Sequence, residues 1–357
     1  MGYPGRKPRE KGVMRMSYRC LAAVCLAVAL MVFSPILAFA QSTEGPRTSW
    51  GAPDLQGVWD FRSITPMERP EDLADKAFLT EEEAANLEQE TVEKNNRLSN
   101  RPAQRTTATD SVDRGEDGAP GFYNNFWLDA GTTTVGTRRT SLIVNPTDGR
   151  IPSMTQAAMT KKNEIAADRR GVLFHQPSPG GWVEELGPGG LQLRCITGFN
   201  SGPPMTPGAY NNNVQLFQTE DYVALLNEMN HNFRIIPLDG SAPADLPQWT
   251  GDSRGHWEGE ILVVQTTNFL RETSFVLGQT DSNLRLVERF TRVSPQILMY
   301  EATVDDPTVW SRAWTYQIPM TWNDQPVYEY ACHEGNYGLY NILAGARFEE
   351  AAAEGSR

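Results

Sequence analysis

Hydrophobic and polar positions alternate in short runs over most of the chain, and the runs are separated by turn-forming residues. Period-two alternation over four to ten residues is the mark of half-buried strands, because successive side chains of a strand point to opposite faces. Leu55 to Phe61 reads as a first strand. From Phe122 onward the series is dense: Thr140 to Asn145, Leu191 to Thr197, Val214 to Thr219, Tyr222 to Met229 and Phe233 to Leu238. It continues through Ile261 to Thr267, Leu284 to Val293, Ile297 to Asp305, Trp310 to Ile318 and Tyr328 to His333. Asp239-Gly240 and Glu258-Gly259 supply tight turns. About ten strands at this spacing predict an all-β fold, an antiparallel barrel or sandwich.

Two stretches carry helical signals instead. Thr80-Glu81-Glu82-Glu83 is a capping box that starts a helix running to about Arg97. Gln156 to Arg170 reads as a second peripheral helix. Between them, Arg101 to Gly121 is polar and unpatterned, a linker or long surface loop, and an Ala/Glu-rich tail follows Gly345. The expected organisation is therefore a leader over 1–40, an N-terminal strand, helix and linker over 41–121 packing on or covering the barrel, a β-rich core over 122–345 and a tail over 346–357.

One hairpin can be read residue by residue. With Ser294-Pro295-Gln296 as a three-residue loop, Val293 lies opposite Ile297, Phe290 opposite Tyr300, Arg289 opposite Glu301 and Leu286 opposite Val304. Glu288 then shares the apolar face of Leu286, Phe290, Tyr300 and Val304, a carboxylate where burial is expected.

Charge and compartment narrow the function classes. A basic stretch from Arg6 to Arg19 leads into the apolar run Leu21 to Phe39, ending in Ala38-Phe39-Ala40, the tripartite pattern of a cleaved signal peptide. A retained anchor is the rival reading; Pro35 and the small residues at the exit favour cleavage. The whole chain has 32 basic and 44 acidic residues, and the leader holds six basic and one acidic, which leaves 26 against 43, or −17, after Ala40. Such a surface repels nucleic acid and anionic membranes, and no later segment has the roughly 20 apolar residues of a membrane span. The expected location is the periplasm or outside the cell. Cys195 and Cys332 are then exposed to oxidation; they pair in a disulfide or remain two buried thiols.

Several segments have the character of a signature: Tyr123-Asn124-Asn125-Phe126-Trp127, Tyr210-Asn211-Asn212-Asn213, Glu228-Met229-Asn230-His231, Arg234-Ile235-Ile236-Pro237-Leu238-Asp239-Gly240, Gly251-Asp252-Ser253-Arg254-Gly255-His256-Trp257-Glu258-Gly259 and Tyr330-Ala331-Cys332-His333-Glu334-Gly335-Asn336-Tyr337. Together they resemble an uncharacterised family of exported bacterial proteins, a likeness that covers most of the mature chain and implies export, but no activity and no catalytic residues. A second, weaker likeness, through Gly57-Val58-Trp59, is to lipocalin-type barrels.

Four histidines are few enough to weigh singly. His231 follows the strand Tyr222 to Met229 on the face of Val223, Leu225 and Met229, which points it inward as a core histidine or a general acid or base. His333, with Glu334 and the Tyr337 hydroxyl, sits on a turn at a strand end, where active sites often form. His256 reads as an exposed strand-end residue, and His175 lies among Pro and Gly. No HExxH or His-x-His spacing points to a metal. Gly251-Asp252-Ser253-Arg254-Gly255 has the form of a nucleophile elbow without the strand-to-helix context that motif needs.

Trp310, Arg312, Trp314 and Tyr316 alternate on one strand face, either core or a face that stacks on a flat ring while Arg312 binds a carboxylate or pairs with Glu288. Asn212, in an amide-rich run, satisfies loop backbone or binds ligand hydroxyls. The working expectation is an exported enzyme that needs no cofactor and does acid-base chemistry of lyase, isomerase or hydrolase type on a small, aromatic or hydroxylated organic substrate. In it His231 and His333 transfer protons, Glu288 is a tuned acid or orienter, and Arg234, Arg312 and Tyr337 stabilise negative charge. The rival is a non-catalytic, lipocalin-like small-molecule-binding protein whose aromatic face lines a cavity.

Overall fold

A computed structural model describes residues 45–100, 128–168, 190–270, 274–275, 278–279 and 282–355. The leader, the 101–121 linker, the Tyr123 to Trp127 motif and His175 lie outside the described residues.

Strands appear in chain order as β1 (Gly57–Asp60), β2 (Ile143–Asn145), β3 (Asn213–Gln218), β4 (Tyr222–Asn227), β5 (Phe233–Pro237), β6 (Asp252–Glu258) and β7 (Ile261–Thr267). A two-residue pair follows, β8 (Ser274–Phe275) and β9 (Gly278–Gln279), then the long strands β10 (Arg285–Ser294), β11 (Ile297–Asp305) and β12 (Trp314–Asn323). The helices are α1 (Glu81–Ser99), α2 (Gln156–Asp168), the single turn α3 (Gly190–Leu193) and α4 (Gly338–Gly355).

The fold is all-β. One ten-stranded antiparallel sheet runs β5-β4-β3-β1-β12-β11-β10-β7-β6, with β2 added on β12. β1 is an interior strand, between β3 and β12, so the N-terminal segment belongs to the same sheet as the later strands. The sheet is not closed by a ladder, yet its two edges meet side chain to side chain. Gly255 of β6 faces Leu238 and Ile236 so closely that a Cβ there would fall 2.7 and 2.9 Å from their methyls. Only glycine lets the edges approach this far.

The inward faces alternate as the sequence pattern requires. Val214 and Leu216, Val223 and Leu225, Leu262 and Val264, Leu286 and Phe290, Leu298 and Val304, and Trp314 and Ile318 all join one fully buried cluster. The outward face of β3, β4 and β5 carries Phe217, Tyr222, Phe233 and Ile235 largely exposed.

The β10–β11 hairpin has the expected register at Leu286↔Val304, Arg289↔Glu301 and Phe290↔Tyr300. Its end differs: Ser294 pairs with Ile297 across a two-residue turn, and Val293 is the extra residue of a bulge. α1 starts where the capping box places it, with Thr80 accepting from the Glu83 N–H and the Glu83 carboxylate accepting from the Thr80 N–H.

Several elements differ from the sequence expectation: β12 begins at Trp314 and not Trp310, and Asp252–Glu258 forms a strand outside the expected series. Leu191 to Thr197 is not a strand but α3 and a turn, broken by Cys195 at φ +56°. Tyr328 to His333 forms no ladder: the Tyr328 and Tyr330 N–H groups bond the side chains of Glu228 and His231, and Cys332, its N–H on the Tyr330 carbonyl, and His333 enter a turn. The tail after Gly345 continues α4, since Ala, Glu and Arg are strong helix formers. Among the described residues no helix is long and apolar enough to cross a membrane.

Candidate functional site

The interior of the sheet holds a polar cluster. Glu288, fully buried, meets Arg234 of β5 in a two-pronged ion pair, Nη1 to Oε2 at 2.5 Å and Nη2 to Oε1 at 2.9 Å. The Tyr300 hydroxyl donates to Glu288 Oε1 at 2.9 Å and accepts from the Met205 N–H at 3.1 Å. The Tyr316 hydroxyl donates to the Met205 carbonyl at 2.6 Å. Burial, reinforced by the Glu288 charge, pushes both phenols well above the usual tyrosine range. Burial alone would lower the Arg234 guanidinium, but Glu288 outweighs it and the net shift is upward. Every polar atom of the carboxylate is thus engaged by protein, and the cluster pins the Met205 segment into the sheet interior.

This settles where several sequence-selected residues lie. Glu288 is the buried acid that alternation indicates, but its partner is Arg234 and not Arg312, which is exposed in the turn before β12 begins. Trp314 and Tyr316 are fully buried and Trp310 nearly so, Trp310 edge to face on Trp314 and Trp314 tilted against Tyr316, as core rather than as a ligand-stacking surface. The Trp310 and Trp314 indole N–H groups find no acceptor among the described residues. Asn212 is buried and bonds loop backbone, donating to the carbonyls of Asp129 and Gly208 and accepting from the Gly208 N–H and Asn200. Ser253 lies inside β6, buried against Thr266, so Asp252 to Gly255 is strand and the motif is not a nucleophile elbow. His256 is half exposed and bonds Glu258, as a strand-end residue would.

His231 points to a different place from the one alternation predicts. β4 ends at Asn227, and the chain turns through Asn230 and His231, both in the left-handed region at φ +57° and +51°. The imidazole is carried to the surface, where Nε2 accepts the Tyr330 N–H at 3.1 Å. With Nε2 accepting, the proton of the neutral ring lies on Nδ1. The Tyr330 ring stacks on Tyr210 with centroids 6.3 Å apart, and Glu228 accepts the Tyr328 N–H, so the 328–337 segment is docked on the β4–β5 turn. Cys332 of that segment is joined to Cys195 in a disulfide, Cα atoms 5.8 Å apart. His333 and Tyr337 lie on the same segment, both exposed. The structure therefore groups His231 with the His333 segment and leaves Glu288 with Arg234 inside the sheet.

Beside His231 a cleft of about 450 Å³ opens between the β4–β5 turn and the loop that precedes β6. Its polar wall is Asn230, His231, Asn232, Gln248 and Thr250, with the Trp249 indole between them. Ile196, Phe233, Pro247 and Leu270 supply the apolar part. Six non-glycine residues take positive φ among the described residues, and four of them, Cys195, Asn230, His231 and Asn268, lie in the segments that form this cleft. Such conformations cost of the order of 1–3 kcal/mol each, and they concentrate where geometry serves a site. Sequence reasoning passes over Trp249, Gln248 and Thr250. Pro247 and Gly251, which bracket them as turn residues, are the only local signal, and the cleft joins segments more than fifty residues apart. Among the described residues no group of histidine, cysteine and carboxylate side chains is placed to hold a metal.

Compared with known proteins, the chain matches no family model, no curated protein and no solved structure.

Proposed function

We propose that the protein is exported and binds a small polar organic molecule in the His231–Trp249 cleft. The observation that carries this reading is the convergence of strained backbone, amide side chains and an indole on one cleft whose size suits such a ligand. The basic-then-apolar leader and the Cys195–Cys332 disulfide support export. The sheet interior, filled by Trp314, Tyr316 and the Arg234–Glu288 cluster, speaks against a lipocalin-type ligand cavity at the aromatic strand face.

The test is a ligand-observed NMR screen of neutral and charged polar molecules against the wild type and Gln248→Trp, which fills the cleft from an exposed position. Hits that vanish in the variant support the reading, and hits that persist place binding elsewhere.

An acid-base enzyme acting in the same cleft is a second reading, and it has its own observation. The Tyr330 N–H occupies Nε2 and keeps the His231 proton on Nδ1, an arrangement that supplies a fixed hydrogen-bond donor to a developing negative charge. His231→Gln separates the two: turnover of any hit should fall at least about a hundredfold if the imidazole transfers the proton. Unchanged turnover removes the catalytic role and leaves binding.

A further inference from the structure

An antiparallel sheet with one face in water carries polar residues on that face, and part of this sheet obeys. The outward positions of β10 and β11 include Arg285, Arg289, Glu301 and Asp305. The outward positions of β3, β4 and β5 do not. On β3 they are Asn213, Gln215 and Phe217, on β4 Tyr222, Ala224 and Leu226, and on β5 Phe233, Ile235 and Pro237, each alternating with buried residues. None of these nine is charged, in a chain with 21% charged residues, and only the first two are amides. Phe217 is 43% exposed, Tyr222 47%, Phe233 56% and Ile235 57%. At about 200 Å² for a fully exposed side chain of this size, these four present roughly 400 Å² of apolar surface. A patch of that size, within the roughly 300–600 Å² of the largest on a typical monomer, is often a contact site.

The patch also has relief. Across the strands, Ala224 lies between Phe217 and Ile235, and along β4 it lies between Tyr222 and Leu226. A small residue ringed by four bulky ones makes a hollow, and two such faces interlock when each sets a bulky residue into the other's hollow, as packed sheets do. The edge of β5 offers no alternative contact, because β6 packs against it where Gly255 meets Ile236. Charge selects the occupant. A basic partner would gain from carboxylates that this face lacks, and an anionic membrane is repelled by a chain with 44 acidic and 32 basic residues. Two copies repel each other as well, and they do so least where the surfaces brought together carry no charge. Pairing the face with itself removes about 800 Å² from those four residues in each copy; Ala224, Leu226, Pro237 and the rim bring the total to about the 1,200 Å² at which stable interfaces begin.

We infer that a second copy of this chain covers the outward face of β3, β4 and β5, the two faces packed about a two-fold axis near Ala224. Phe233 belongs to both this face and the cleft, so the second copy adds residues to the cleft's rim, whatever the cleft binds. The full-length chain, expressed with its own leader, would be followed by sedimentation velocity from about 1 to 50 μM, a range around micromolar affinity. The expected result is a dimer that forms as the concentration rises. Ile235→Lys and Phe217→Lys each put two ammonium groups into the symmetric contact and should raise the dissociation constant at least about a hundredfold. Val293→Lys changes another open apolar residue, 54% exposed at the β10–β11 turn, and should leave the dimer intact. Both test positions are on the surface, circular dichroism checks their folding, and either one suffices if the other variant misfolds. A wild type that stays monomeric over the whole range overturns the inference. A dimer indifferent to both lysines also overturns it, by placing the contact elsewhere, and growth beyond a dimer overturns the two-fold pairing. A monomer that floats with phosphatidylcholine vesicles, and no longer does so as Ile235→Lys, assigns the face to a membrane and overturns the second copy.

Discussion

Replacing Glu288 by Gln removes the negative half of the Arg234 pair and leaves a guanidinium that cannot lose its proton inside the sheet. The two-pronged contact sets the charge centres roughly 4 Å apart, which at an effective dielectric of about 20 is worth about 4 kcal/mol. Breaking a buried pair from one side typically costs about 3–5 kcal/mol, so the estimates agree. Because a domain of this kind has a total stability of about 5–15 kcal/mol, Glu288→Gln should lower the urea midpoint severely at every pH at which the protein folds. Arg234→Met leaves a carboxyl, which can take up a proton and stay buried as a neutral acid still hydrogen-bonded to Tyr300. Its deficit should therefore shrink as the pH falls from 7 towards about 4, because protonation relieves the buried charge.

The double variant Arg234→Met with Glu288→Gln contains no charge and keeps an acceptor for Tyr300. It should recover to within about 2 kcal/mol of the wild type, since well-packed neutral replacements of buried pairs are often close to neutral. Urea unfolding followed by tryptophan fluorescence at pH 4, 5.5 and 7 measures all three variants. The reasoning fails if Glu288→Gln costs less than about 1 kcal/mol. It also fails if the double variant is no more stable than the worse single one, or if the Arg234→Met deficit is independent of pH.

The disulfide gives a second prediction. It closes a loop with a sequence separation of 137 residues, so Cys195→Ser with Cys332→Ser should cost up to about 5 kcal/mol in the chain-entropy model, and hydrogen exchange should rise at the Tyr330 amide held by His231. Tyr300 and Tyr316 have folded values raised above the ordinary 10.0, so the stability they contribute is complete below pH 10 and is lost as the pH rises towards those folded values. Of the chain's 11 tyrosines, these two should not ionise in a spectrophotometric titration until the protein unfolds; their ionisation with the surface phenols would contradict the buried cluster. At the start of α1, the Lys76 ammonium and then the Thr80 N–H hold the Glu83 carboxyl at about 2, against an ordinary 4.5. Its contribution is present above 4.5 and is lost as the pH falls through 2, which amide exchange at Ala84 would follow. Thr80→Ala should cost about 1 kcal/mol through loss of the cap.

What the sequence made legible, and what it hid, have a common physical origin. The β10–β11 register and the burial of Glu288 follow from local alternation, because both strands are long and each residue's face is fixed by its neighbours. The capping box at Thr80 is equally local. Errors begin where alternation is carried past the end of a strand. Tyr222 to Met229 projects His231 inward, but the ladder stops at Asn227 and two left-handed residues turn the ring outward. Trp310 to Ile318 projects Arg312 inward, but β12 starts only at Trp314. Tyr328 to Cys332 alternates too, yet Glu228 and His231 claim the Tyr328 and Tyr330 amides and the Cys332 N–H turns back to the Tyr330 carbonyl, so it makes a docked segment and no strand.

The Arg234–Glu288 pair was hidden for a different reason. It depends on the sheet curling until β5 and β6 meet, an arrangement set by Gly255 and by the order of nine strands rather than by either residue's neighbours. The cleft combines both obstacles, since a turn with two left-handed residues, a disulfide and a loop bracketed by Pro247 and Gly251 converge on Trp249 from distant parts of the chain. In this protein the strands and their faces are written locally and the framework can be read from them. The candidate site is written in the places where strands end, and it becomes visible only when the sheet has brought those ends together.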